Sequence, residues 1–435
     1  MILKKVRYLF VVLCLLFDQI ILAQNIVLQS QEIAHLLQKN KLNKVYSKLS
    51  PEFQQSFSKR KFKTSWKQLV KTNGNIQSIK RSDTINATST STIVVLEKLM
   101  LNLLVSSDGS GKISGFGLRP LSYAPPKESQ NKIYGKERVI IKTDTFSMKG
   151  ELTFPIDCDQ CPLVILVHGS GCSDMDESAY ALAPFKDLAL TLSNQGIATL
   201  RYNKRCNEYP ASISKKEAWT LQDETINDAL SAVRLSKNFS QIDTNRIYVL
   251  GHSLGAFAAP RIAEMDTTLA GIILLAGPSR PLYEVLEQQI TESIMKDDKM
   301  SILEKKFRKP VDEEINKLRS KNFDQIDEIK YMAYWPKSFF VDLADYNPIE
   351  SCKNLNCRIL ITQGDRDFQV SYIYDFQPFA NELEPYDHIE CTLFRGLNHF
   401  YVWGEEESDI TEYFYPSNVD SDFMEYLGNW ILEQK

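Results

Sequence analysis

Arg246-Ile-Tyr-Val-Leu-Gly-His-Ser-Leu-Gly-Ala-Phe-Ala-Ala-Pro-Arg-Ile-Ala263 decides how this chain is to be read. Its first five residues are strand-like, Ala256 to Ala263 are helix-like, and Gly251-His252-Ser253-Leu254-Gly255 joins the two. A glycine on either side of Ser253 lets a strand turn sharply into a helix, leaving the serine hydroxyl at the crest. Gly-x-Ser-x-Gly by itself occurs by chance in many chains. A strand before it and a helix after it turn the pattern into a candidate nucleophile elbow, with Ser253 as the nucleophile.

Working outward, short and continuously apolar runs recur on both sides of the elbow. They are Leu163 to Val167, Ile197 to Leu200, Gly271 to Leu275 and Ile359 to Ile361, and such runs belong to strands buried on both faces. Helix-like segments, Ala179 to Asn194 and Ala218 to Lys237, lie between them. The alternation predicts an α/β fold with a doubly wound, mostly parallel sheet and its ligand site at the carboxyl ends of the strands. Glu137 to Lys142 and Lys149 to Phe154 alternate apolar with polar residues, as an opening antiparallel hairpin would. Residues 283 to 346 break the rhythm with charged helices and the aromatic-rich Tyr331 to Phe340, so an inserted cap is expected there. Tyr334, Trp335 and Phe339 are its candidate substrate-pocket residues; packing of the cap onto the sheet is their other possible role.

Ester cleavage needs a base beside the nucleophile, an acid to orient the base, and donors for the oxyanion. Val167-His168-Gly169-Ser170-Gly171 ends an earlier buried strand, where the backbone N–H of Ser170 could donate together with that of Leu254. His168 is expected to shape that loop. Among the five histidines, His35 lies far upstream, His252 is inside the elbow, and His388 lies in a polar run before a strand. His399 follows the strand Glu390 to Phe394 in the last loop before the terminal helix, where the base is required. The acid should follow Arg358 to Thr362, where Asp365 and Asp367 compete and spacing does not separate them. Either one completes the order Ser, Asp, His of the α/β-hydrolase fold.

The 435 residues suit two domains. Residues 26 to 120 read as a small α+β unit. Helices Ser30 to Leu42 and Pro51 to Lys71 precede strands Ser91 to Glu97, Leu101 to Ser106 and Lys112 to Gly117. Residues 121 to 132 have linker composition, and 133 to 435 form the catalytic domain. At the start, Lys4, Lys5 and Arg7 precede the apolar run Tyr8 to Phe17, and Ala23 stands before Gln24, so residues 1 to 23 read as a signal peptide. An uncleaved anchor is the alternative, although the run is shorter than the ~20 residues a span needs. A formal charge of −4 with only two short basic clusters argues against a nucleic-acid partner. No integral membrane span is expected after signal removal, and the expected location is periplasmic or secreted. Cys158-Asp-Gln-Cys161 has no second Cys-x-x-Cys or nearby histidine to complete a metal site, so no metal or other cofactor is expected.

The stretch Gly251 to Leu282, with His168 to Gly171, Pro184-Phe-Lys-Asp-Leu188 and Arg201-Tyr-Asn-Lys-Arg205, resembles exported bacterial carboxylesterases of the EstD type, within the dienelactone-hydrolase-like and serine-aminopeptidase-like hydrolases. Their N-terminal domain, NTF2-like or cystatin-like and of unassigned function, is similar to residues 26 to 120, whose ligand is unknown. In those relatives the acid sits in Gly-x-x-Asp-x-x-Val, which falls on Gly364, Asp367 and Val370; the resemblance therefore implies Asp367, with Asp365 in reserve. It also implies a serine carboxylesterase acting on small-molecule esters, with a peptidase of the same fold as the alternative. A catalytically dead binding protein would need a missing triad member, and none is missing. Two departures stand out. The family pattern is replaced by Cys172 after His-Gly-Ser-Gly and by Cys206 after the Arg-Tyr-Asn-Lys-Arg stretch. Both follow strands that neighbour one another in this fold, so a Cys172–Cys206 disulfide is expected, against a free Cys172 with a Cys352–Cys357 bridge.

Overall fold

The computed structural model describes residues 26–86, 88–97, 100–108, 112–127, 134–143, 145–213, 218–294, 302–326, 329 and 335–433. Residues 1–23, Tyr331 and Tyr334 lie outside the described residues. The chain divides into two units, one ending at Ser122 and the other beginning at Tyr123.

In the first unit, residues 26–38 are helical, followed by helices Leu42–Lys48, Pro51–Ser56 and Lys59–Asn73. The one helix expected from Ser30 to Leu42 breaks at Asn40, whose φ is 53°. The one expected from Pro51 to Lys71 breaks at Ser58, whose side chain caps the next helix by accepting from the Lys61 N–H. Strands β1 (Ile76–Asn86), β2 (Ser89–Leu96), β3 (Met100–Ser107) and β4 (Ile113–Pro120) form an antiparallel meander in that order. β1 had no signature in the sequence. Its register against β2 slips at three places, and each slip breaks the period of two by which a strand is recognised. Ile33, Val45, Phe62 and Trp66 from the helices pack with Val94, Leu103 and Val105 from the sheet.

The second unit is built on β5 (Tyr134–Lys142), β6 (Ser147–Pro155), β7 (Cys161–Val167), β8 (Ala198–Tyr202), β9 (Ile242–His252), β10 (Gly271–Leu275), β11 (Arg358–Gly364) and β12 (Ile389–Phe394). They form one sheet in the order β12-β11-β10-β9-β7-β8-β6-β5. The β5–β6 hairpin and the β6–β8 pair are antiparallel; every other pair is parallel. The apolar runs explain this layering. Leu163, Ile165 and Val167 of β7 enter one core while Val164 and Leu166 enter the other; Ile272 and Leu274 of β10 separate from Ile273 and Leu275 in the same way. Each fully buried side chain of this kind contributes ~1.5–3 kcal/mol, and the two faces together require helices on both sides. Helices Pro184–Asn194 and Ser421–Leu432 cover one face through Phe185, Leu192, Phe423 and Leu427. Helices Asn227–Ser236 and Leu254–Met265 cover the other through Val233, Phe257 and Ile262. The first of these helices starts at Pro184, five residues later than expected, because Glu177 and Tyr180 have φ of 52° and 57°. The cap between β10 and β11 contains helices Leu282–Ile294, Ile302–Arg319 and Lys337–Asp342.

Cys172 and Cys206 lie within disulfide distance, with Cα atoms 5.1 Å apart, as expected. Cys158 and Cys161 form a second such pair, 5.8 Å between Cα atoms. Cys352 and Cys357, the alternative bridge, are unpaired. No helix among the described residues is long and apolar enough to cross a membrane.

Candidate active site

Ser253 is the N-cap of helix Leu254–Met265 and has φ 54° and ψ −115°. A non-glycine residue held in this region costs ~1–3 kcal/mol, a strain that clusters at functional sites. The flanking glycines are demanded by contact. A Cβ on Gly251 would lie 2.1 Å from the Gly255 carbonyl oxygen, and one on Gly255 would lie 2.1 Å from that of Val167. The helix therefore meets the end of β7 backbone to backbone, which brings the next loop over the serine: a Cβ on Gly169 would sit 3.1 Å from the Ser253 Cβ.

Ser170, Ser253, Leu254 and His399 line a single cavity of about 320 Å³. His399 is buried, and its Nδ1 is 2.7 Å from Asp367 Oδ2. Asp367 is tied on every side. Its Oδ1 accepts from the backbone N–H groups of Gln369 (2.7 Å) and Val370 (2.9 Å), and its Oδ2 accepts also from the Gln363 side-chain amide at 2.6 Å. Asp365 turns away and accepts from the Gly396 N–H at 2.8 Å, bracing the turn before His399. Gly364 fits this turn because a Cβ there would collide with the Leu397 carbonyl at 2.2 Å. The two carboxylates that spacing left tied are thus separated by the direction each side chain takes.

The other histidines have structural surroundings. His35 is exposed and His388 half-buried. His168 is buried with its Nε2 2.9 Å from the Asp174 carbonyl; burial, helped by the charge of Lys204, pushes its pKa down to about 4. His252 lies between two acceptors, its Nε2 2.9 Å from the His399 carbonyl and its Nδ1 3.1 Å from Glu177. Burial opposes its charged form, yet the Glu177 carboxylate and the carbonyl hold its pKa above the ordinary value. Burial likewise opposes the charge of Glu177, and His252, His168 and the Gly169 N–H outweigh it, so its pKa lies low. Sequence reasoning missed Glu177; its signal was one more carboxylate in the polar run after the His-Gly-Ser-Gly loop.

The cap contributes differently from expectation. Trp335 lines the cavity, and its indole N–H donates to Glu224 at 3.2 Å. Phe339 does not reach the cavity lining; it is buried behind Trp335, stacked on it at 5.0 Å with the rings 9° apart, and packs also on Trp219. Its place on the first turn of Lys337–Asp342 points it into the core. The apolar wall comes instead from Leu282, Val285 and Leu286, with Gln289 next on the same helix face. Spacings of three, four and seven residues carried that signal in the sequence.

Residues 164–412 match the alpha/beta hydrolase family. The chain belongs to that family. This hydrolase is 31% identical over 338 residues to esterase EstD of Thermotoga maritima, covering 77% of each chain. Among solved structures it is similar to Est1E from Butyrivibrio proteoclasticus (TM-score 0.45, 16% identity, 68% of this chain and 99% of that one). It is also similar to the esterase of Pyrobaculum calidifontis (TM-score 0.43, 15% identity, 70% and 86%). The family match and the likeness to esterase EstD support a hydrolase of carboxylesterase type.

Proposed function

We propose that the chain hydrolyses carboxylic esters of small molecules through an acyl-enzyme on Ser253. The observation that carries this reading is the strained Ser253 sharing one cavity with a His399 whose far nitrogen is held by Asp367. His399 takes the Ser253 proton as the hydroxyl oxygen attacks the ester carbonyl, while Asp367 keeps the proton on Nδ1 and stabilises the imidazolium. The N–H groups of Ser170 and Leu254 receive the oxyanion. Leu254 opens its helix, so its N–H has no intrahelical partner. The alcohol leaves with the proton from His399, and water, activated by the same base, releases the acid. A cavity of about 320 Å³ with an apolar wall suits a short acyl chain. Cysteine pairs at disulfide distance favour an exported protein, with residues 1–23 as its signal, 26–120 as a separate domain and 121–132 as linker.

The test is turnover of p-nitrophenyl esters from acetate to decanoate beside aminoacyl-p-nitroanilides, for the wild type, Ser253→Ala and His399→Ala. Ester turnover abolished in both folded variants, with the anilides untouched by the wild type, is expected. A Ser253→Ala protein that still cleaves esters, or anilides cleaved as fast as esters, overturns the reading.

A further inference from the structure

The loop after β7 and the loop after β8 are laced together. The Lys204 N–H donates to the Ser173 carbonyl at 3.1 Å, the Met175 N–H to the Asn203 side-chain oxygen at 2.7 Å, and the Asn207 amide to the Cys172 carbonyl at 3.1 Å. Cys172 and Cys206 stand across the same gap. A charge is buried inside this lacing. Lys204 has a side chain only 3% exposed; its Nζ donates to the Gly169 carbonyl at 2.9 Å and to Glu224 at 2.7 Å. The other Glu224 oxygen accepts from Trp335 at the cavity wall. Taking an ammonium and a carboxylate out of water costs several kcal/mol per ion, and an apolar pair of similar volume would often be no less stable. Charge neutralisation alone therefore does not account for a lysine here.

The carbonyl it holds does account for it. The C=O of Gly169 and the N–H of Ser170 belong to one planar trans peptide group, so they point in opposite directions. A cation fixed on the oxygen sets the direction of that N–H and, by drawing electron density toward the oxygen, makes it a stronger donor. The preceding peptide is held as well, since the Gly169 N–H donates to Glu177 at 2.6 Å. We infer that Lys204 is a positioning residue for ester hydrolysis, aligning and polarising the Gly169–Ser170 peptide group whose N–H receives the oxyanion. This rests on the serine-hydrolase reading above, and it links the cap through Trp335 and Glu224 to the oxyanion donor.

The test compares the full-length wild type with Lys204→Met, Lys204→Met/Glu224→Gln and Ser253→Ala, using p-nitrophenyl butyrate kinetics, a trifluoromethyl ketone inhibitor and thermal melting. The ketone forms a hemiketal oxyanion on Ser253 and so reports the donor directly. Removing one oxyanion donor costs ~10²–10³ in kcat; misaligning it should lower kcat and ketone affinity together by about 10- to 100-fold, with KM little changed. The double variant, relieved of the lone buried carboxylate, should recover the lost melting temperature while its kcat stays low. If the double variant recovers kcat along with stability, or if Lys204→Met keeps both kcat and ketone affinity near wild type, the inference fails. Should Lys204→Met not fold, the double variant alone decides by the same criterion. An active Ser253→Ala protein would instead sink the reading beneath it.

Discussion

Replacing Asp367 with asparagine changes one oxygen to NH₂, and the structure dictates which one. Oδ1 faces two backbone N–H groups, from Gln369 at 2.7 Å and Val370 at 2.9 Å, so it must remain an oxygen. The new NH₂ then falls at the Oδ2 position, against His399 Nδ1 at 2.7 Å and the Gln363 amide nitrogen at 2.6 Å. It can only donate there, which drives His399 to the tautomer protonated at Nε2, unable to accept the Ser253 proton. In serine-protease triads the same change lowers kcat by ~10⁴. A fall of about 10³- to 10⁴-fold is expected here, or ~4–5.5 kcal/mol in the barrier. Gln363 would have to turn its amide and give up its 3.1 Å bond to the Val370 carbonyl, so stability should also drop by ~1–3 kcal/mol. Asp365→Asn keeps an oxygen for the Gly396 N–H and should change kcat by no more than about twofold. Steady-state hydrolysis of p-nitrophenyl butyrate with urea melts of each variant measures both quantities. An Asp367→Asn enzyme with most of its kcat intact, or one less damaged than Asp365→Asn, would refute the reasoning.

Trp335→Ala enlarges the cavity beside Leu282 and Val285 and should raise kcat/KM for longer acyl chains relative to acetate, by about fourfold per added methylene at ~0.8 kcal/mol each; a uniform loss across chain lengths would return Trp335 to a packing role. Cys172→Ser should cost about 3–4 kcal/mol for a crosslink of sequence separation 34, and non-reducing peptide mapping should recover Cys172 joined to Cys206; any other partner contradicts the pairing. His168, with its pKa held down to about 4, takes up a proton in the unfolded chain first, so its contribution is complete above pH ~6.5 and fades as pH falls toward 4. The stability gap between wild type and His168→Gln should therefore shrink by ~2 kcal/mol between pH 7 and pH 5, and a pH-independent gap in urea titrations would exclude a neutral buried His168.

The doubly wound sheet was legible because Leu163 to Val167 or Gly271 to Leu275 have no polar face to offer water, a property written residue by residue. The elbow was legible for a similar reason: Gly251 and Gly255 are contacts to backbone atoms only a few residues away or on the adjacent strand. β1 was not legible, since its slipping register leaves no regular period. The wall formed by Leu282, Val285 and Leu286 was written in helical spacing but masked by the more conspicuous aromatics that follow.

By itself the sequence determined the alternation of strands and helices in the second unit, a candidate nucleophile, a candidate base and two possible acids. These follow from local periodicity and from which residues flank a strand's end. Spacing left Asp367 and Asp365 open, and the family resemblance implied Asp367. Only the tertiary structure shows the physical difference, a side-chain direction within one turn that sets Asp367 against His399, more than thirty residues away, and Asp365 against the Gly396 N–H. Only it, too, brought Lys204 onto Glu224 and the Gly169 carbonyl. In a sequence a lysine or glutamate reads as a solvated surface group, since nothing local records the desolvation that distant strands impose. Burial is a property of the assembled fold, and here it is burial that gives these charges their work.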